Sequence, residues 1–142
     1  MEAIATADLV RYVQQSLTHD LLTPKWRKIV GDSAALFKGH CYAASEAIYH
    51  ILGGSENGWV PQIVNHARWP EGLGQGQTHW YLKNKNTGEI IDATAEQFSP
   101  LLVNYENATG CGFLTSAPSK RARIIMDRVK SLVIQNSGSI EN

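Results

Sequence analysis

Two short runs that read as strands, Thr78–Lys83 and Glu89–Ala93, flank the spacer Asn84-Lys85-Asn86-Thr87-Gly88. Strands joined through so many turn-forming residues predict an antiparallel hairpin. A four-residue loop Lys85–Gly88 and a two-residue loop Asn86-Thr87 both pair Tyr81 with Asp92. Side chains alternate along a strand, so His79 then shares a face with Asp92 as its diagonal neighbour. A slip of one residue would send Asp92 to the opposite face. The turn therefore decides whether a histidine and an aspartate can meet.

The rest of the chain supplies helices to cover such a sheet. Apolar residues from Ile4 to Leu17 recur at a helical period, and Pro24 opens a second short helical run, Lys25–Val30. Cys41–Leu52 carries the stripe Cys41, Ala44, Ala47, Ile48 and Ile51, with Gly39 before it and Gly53-Gly54 after it. Ser119–Val133 carries Ala122, Ile125, Met126, Val129, Leu132 and Val133 behind Pro118. Trp59–Val64 reads as a further strand, Arg68–Gln77 as a Gly/Pro/Gln loop suited to a mobile flap, and Phe98–Phe113 takes no clear assignment. The expectation is one α+β domain over residues 1–134, with helices packed on an antiparallel sheet and a flexible polar tail over 135–142.

Composition narrows the function classes. Lys+Arg and Asp+Glu both number 13, so the formal charge is zero. That balance argues against a dedicated nucleic-acid binder. No apolar run is long enough to span a membrane, and the first residues lack a basic and apolar leader. With only Cys41 and Cys111 as cysteines, the expectation is reduced thiols in a cytoplasmic protein. Oligomeric state is left open.

The chemistry centres on Cys41. The start of a helix offers free backbone N–H groups and the positive end of the dipole, both of which favour a thiolate. A thiolate can attack a carbonyl, and the same amides can hold the oxyanion that forms. The base that returns a proton to the leaving group is best supplied by histidine. His79 is placed for that role, with Asp92 to fix its tautomer.

Gly39-His40-Cys41-Tyr42-Ala43-Ala44, Thr78-His79-Trp80-Tyr81-Leu82 and Gly88-Glu89-Ile90-Ile91-Asp92-Ala93-Thr94 together resemble the core of transglutaminase-like, papain-fold cysteine enzymes. The order Cys, His, Asp and the spacings are similar to the short core shared with arylamine N-acetyltransferases. The resemblance covers residues 39–98, under half of the chain, and the compact size also resembles small phage or prophage proteins. It implies a papain-like core with Cys41 as nucleophile, His79 as base and Asp92 as orienting acid. It further implies acyl transfer on an amide- or ester-containing substrate, such as a peptide or a protein side chain, without a cofactor. The large members carry extra substrate domains for which this chain has no room, so the resemblance does not carry over a substrate.

Plainer readings stand beside these. Free cysteine is among the most buried residue types, and a strand histidine or a turn aspartate is common. A catalytically silent binding module of the same fold, docking or inhibiting a partner protein, would use the same residues for packing. A zinc-dependent hydrolase would draw ligands from Cys41, His66, His79, Asp92 and Cys111, although no metal-binding spacing is present. Trp59 and Trp69 are candidates for an apolar rim, His40 has no expected partner, and Cys111 is expected to pack in a turn. Lys120, Arg121, Arg123, Arg128 and Lys130 would give the last helix a solvated basic face.

Overall fold

The computed structural model describes residues 5–30, 39–65, 78–95, 105 and 108–141. Its helices are α1 (Thr6–Ser16), α2 (Pro24–Val30), α3 (Cys41–Ile51) and α4 (Lys120–Glu141). Its strands are β1 (Trp59–Asn65), β2 (Thr78–Asn84), β3 (Ile90–Ile91) and β4 (Ala108–Gly110), all antiparallel in the order β3-β2-β1-β4. The α+β expectation holds. No helix among the described residues is long and apolar enough to cross a membrane.

Helix α3 is the centre of the packing. Every residue from Ala43 to Ile48 is buried, which is how a helix enclosed on several sides behaves. Ala43, Ala44 and Ala47 are small enough to let neighbouring elements approach closely. Leu9 and Val13 of α1, Ala122, Ile125 and Val129 of α4, and Leu82 and Ile91 of the sheet complete the core around it. The i, i+3, i+7 spacing in α4 is the apolar stripe read from the sequence. Helix α4 runs through Glu141, eight residues beyond the expected Val133.

One residue in this enclosed helix is charged. Glu46 is fully buried, and its carboxylate accepts hydrogen bonds from Ser119 N–H at 2.9 Å and Ser119 Oγ–H at 2.6 Å. Ser119 Oγ in turn accepts from Ala122 N–H at 3.2 Å, so Ser119 caps α4 while the Glu46 side chain holds Ser119 in place. The basic face expected on α4 is partly tied into the fold. Arg128 donates to Ser16 O, Thr18 Oγ1 and Asp20 Oδ2, and Arg121 donates to Leu21 O at 3.4 Å. Two of the five cations therefore fasten α4 to the segment after α1.

The hairpin takes the expected register. Leu82 faces Ile91 and Lys83 faces Ile90, while Asn84 N–H donates to Glu89 O at 2.8 Å. The loop Lys85–Gly88 is organised by Asn84, whose Oδ1 accepts from the N–H groups of Asn86 and Thr87. Gly88 closes it at φ 78°, a conformation that favours glycine. The second strand is shorter than the expected Glu89–Ala93. Asp92 Oδ1 accepts from Thr94 N–H at 3.3 Å, and that side-chain turn ends the ladder at Ile91. Strand β4 lies in the stretch that the sequence left unassigned; three small residues against β1 carry too little periodicity to be read.

Candidate active site

The start of α3 is fixed from behind. Gly39 has φ 87°, and a Cβ there would meet Leu22 Cδ2 at 2.9 Å and the Trp26 ring at 3.0 Å. The chain therefore turns tightly under Trp26 and enters α3 at Cys41. Ala44 N–H makes a helical bond to His40 O at 2.9 Å, so the backbone amides of Cys41, Tyr42 and Ala43 form the first turn of α3. One turn along, Ser45 Oγ–H donates to Trp80 O at 3.1 Å. That bond seats the helix against β2 beside His79, a contact that no local pattern in the chain announces.

The three expected residues come together. The Cys41 thiol is in hydrogen-bonding contact with the His79 ring. His79 Nε2 is 2.7 Å from Asp92 Oδ2, which leaves Nδ1 as the nitrogen available to the thiol. Asp92 lies one step past the ladder, opposite Tyr81, so the diagonal relation to His79 follows from the hairpin register. The site is enclosed: His79 is 0% exposed and Cys41 is 8% exposed.

Electrostatics favour a charged imidazole. Burial pulls the His79 pKa down, but the Asp92 hydrogen bond, the Cys41 hydrogen bond and the charges of both partners outweigh it. The result is a pKa raised from 6.5 to about 9. His40 behaves oppositely. It is buried beside Cys41, and desolvation followed by the Arg121 charge lowers its pKa to about 4. His40 is therefore neutral at physiological pH.

A further residue joins the site. Tyr105 O–H donates to Asp92 Oδ2 at 2.9 Å, and Tyr81 O–H donates to Tyr105 O at 3.3 Å. The two rings meet edge to face at 4.7 Å. Burial and then the Asp92 charge push the Tyr81 phenol up to about 12 and the Tyr105 phenol higher still. Tyr105 falls in the stretch that took no assignment from sequence, and no motif marks it.

The remaining candidates stand apart. Cys111 follows β4, donates its thiol proton to Pro61 O at 3.6 Å, and burial pushes its pKa up. It lines a cavity of about 550 Å³ with Tyr49, Trp59 and Phe113. Trp80 packs against Tyr42 at 4.7 Å and stacks with Phe113 at 5.5 Å. His66, Trp69 and the loop Arg68–Gln77 lie outside the described residues. Among the described residues no group of three or more His, Cys, Asp or Glu side chains is placed to hold a metal ion. Comparison with protein-family models, with curated proteins and with solved structures finds no match for this chain.

Proposed function

We propose that this protein is a cysteine-dependent acyl-transfer enzyme with a papain-like, transglutaminase-like core, acting on an amide or ester. The observation that carries the reading is the chain of contacts Cys41, His79, Asp92, in which each group meets the next in the order that nucleophile, base and orienter require. In the proposed cycle Cys41 gives its proton to His79, and the sulfur attacks the substrate carbonyl carbon. The oxyanion is received by backbone amides at the first turn of α3. His79 passes its proton to the departing nitrogen or oxygen as the C–N or C–O bond breaks, leaving a thioester. A water molecule then loses a proton to His79, attacks the thioester and releases the acid together with the restored thiol. Hydrolysis, which needs only water as the acyl acceptor, is the proposed outcome. Two cysteines outside any disulfide among the described residues fit a reducing, cytoplasmic setting.

The burial of the pair favours a second reading, the catalytically silent binding module. Alkylation by iodoacetamide separates the two. The enzyme reading expects Cys41 to react far faster than a model thiol at about pH 6, where an ordinary thiol is almost wholly protonated. It also expects hydrolysis across a panel of activated esters and peptide amides to disappear in Cys41→Ala. Sluggish alkylation at both thiols, or full hydrolysis in Cys41→Ala, would reject it.

A further inference from the structure

Asp92 Oδ2 is shared. It accepts from His79 Nε2 at 2.7 Å and from Tyr105 O–H at 2.9 Å, while Oδ1 accepts from Thr94 N–H. The carboxylate is 4% exposed, so these protein donors take the place of solvent. Rotating the carboxylate would disturb all three bonds at once. The tyrosine does more than hold it. Each hydrogen bond to a carboxylate stabilises its charged form and lowers its affinity for a proton.

We propose that Tyr105 is a positioning residue for the Cys41–His79–Asp92 site, holding Asp92 to the imidazole and weakening its claim on the imidazole proton. The inference rests on the acyl-transfer reading, and it gives that reading a missing part. During turnover His79 must deliver its proton to a leaving group, and the competing acceptor 2.7 Å away is Asp92. A carboxylate already holding the Tyr105 proton donor is a poorer competitor. Tyr105 is suited to the role because its phenol, pushed far up by burial and by Asp92, stays protonated and can only donate to that oxygen. Its own placement is set from β2, where Tyr81 O–H holds the Tyr105 carbonyl. Among the described residues the titratable groups facing Asp92 are His79 and Tyr81 of β2 and Tyr105, and Cys41 of α3 reaches His79 from the other side.

The test is the titration of the His79 ring, followed by NMR in the full chain and assigned with His79→Gln. Tyr105→Phe keeps the ring against Tyr81 but removes the donor, so Asp92 becomes a stronger partner for the imidazolium. The His79 pKa should rise by about half a unit, part of what one hydrogen bond is worth to a carboxylate. Tyr81→Phe removes a hydroxyl from the same cluster without touching Asp92; it reaches Tyr105 only through that residue's carbonyl and should move the His79 pKa by less than Tyr105→Phe does. If Tyr105→Phe fails to fold, 3-fluorotyrosine at position 105 gives the opposite sign, because a more acidic phenol donates more strongly and should lower the His79 pKa. An unchanged His79 pKa in the Tyr105 variants, or an equal shift in Tyr81→Phe, would overturn the role. Alkylation of Cys41 on the same samples distinguishes the two failures: a wild-type thiol no faster than a model thiol sinks the enzyme reading, whatever the titrations show.

Discussion

Folding stability should depend on pH through His79 in a way that isolates its pairing with Asp92. A histidine whose pKa is higher in the folded chain than in the unfolded one stabilises the fold fully below the unfolded value. That contribution is lost as pH climbs through the folded value. For His79 the window runs from 6.5 to about 9. A rise of that size corresponds to about 3 kcal/mol. Cys41→Ala is the proper background, because it leaves no thiol beside the imidazole. There the Asp92 hydrogen bond, the largest of the causes that raise the pKa, remains, and about 2 kcal/mol should persist. For a chain of 142 residues that is about 4–8 °C in melting temperature. The assay is a series of thermal melts from about pH 6 to about pH 10, comparing Cys41→Ala with Cys41→Ala/Asp92→Asn across the His79 window. Groups that titrate in both proteins cancel, and the gap between the two curves should close as the pH rises. Parallel curves would refute the reasoning, since they would mean that His79 is not held charged by Asp92.

Three other outcomes are expected. His79→Ala should slow Cys41 alkylation at about pH 6 more than Asp92→Asn does, because it removes the base rather than its orientation; mass spectrometry of the Cys41 peptide gives both rates, and the reverse order would count against the assigned roles. Glu46→Ala should lower stability by about 2–4 kcal/mol in urea unfolding, since it leaves Ser119 N–H and Oγ–H without that acceptor. Gly39→Ala should cost more than about 1 kcal/mol in the same assay, because φ 87° is unfavourable for alanine and its Cβ would press on Leu22 and Trp26; an unchanged midpoint would argue against the tight entry into α3.

The site was legible in sequence wherever local rules fix long-range geometry. The Asn84–Gly88 turn set the hairpin register, and register alone brings Asp92 to the same face as His79. The alanine stripe and the flanking glycines marked α3 and put Cys41 at its start. What escaped was set by packing between distant segments. Nothing near Glu46 in the sequence announces that its partner is Ser119, 73 residues later. Tyr105 and Ser45 are likewise ordinary polar residues until the fold brings Asp92 and the Trp80 carbonyl to them. The shortened third strand was missed for a different reason: Asp92 was read as a strand position, but its side chain competes successfully for the backbone of Thr94.

The seam between Glu46 and Ser119 also bears on how the chain can be made. A ribosome delivers α1 and α3 long before the residues that close over them. Until Ser119 and the turns after it emerge, Glu46 lacks the partners it has when buried, and Leu9, Val13, Ala44 and Ile48 lack the cover of Ala122, Ile125 and Val129. Arg128 reaches back 112 residues to the Ser16 carbonyl, so the N-terminal helix is fastened late as well. Helix α3 should therefore reach its final environment only when α4 docks. Nascent chains arrested before residue 119 should bind holdase chaperones and yield to protease, and release past about residue 130 should end both together.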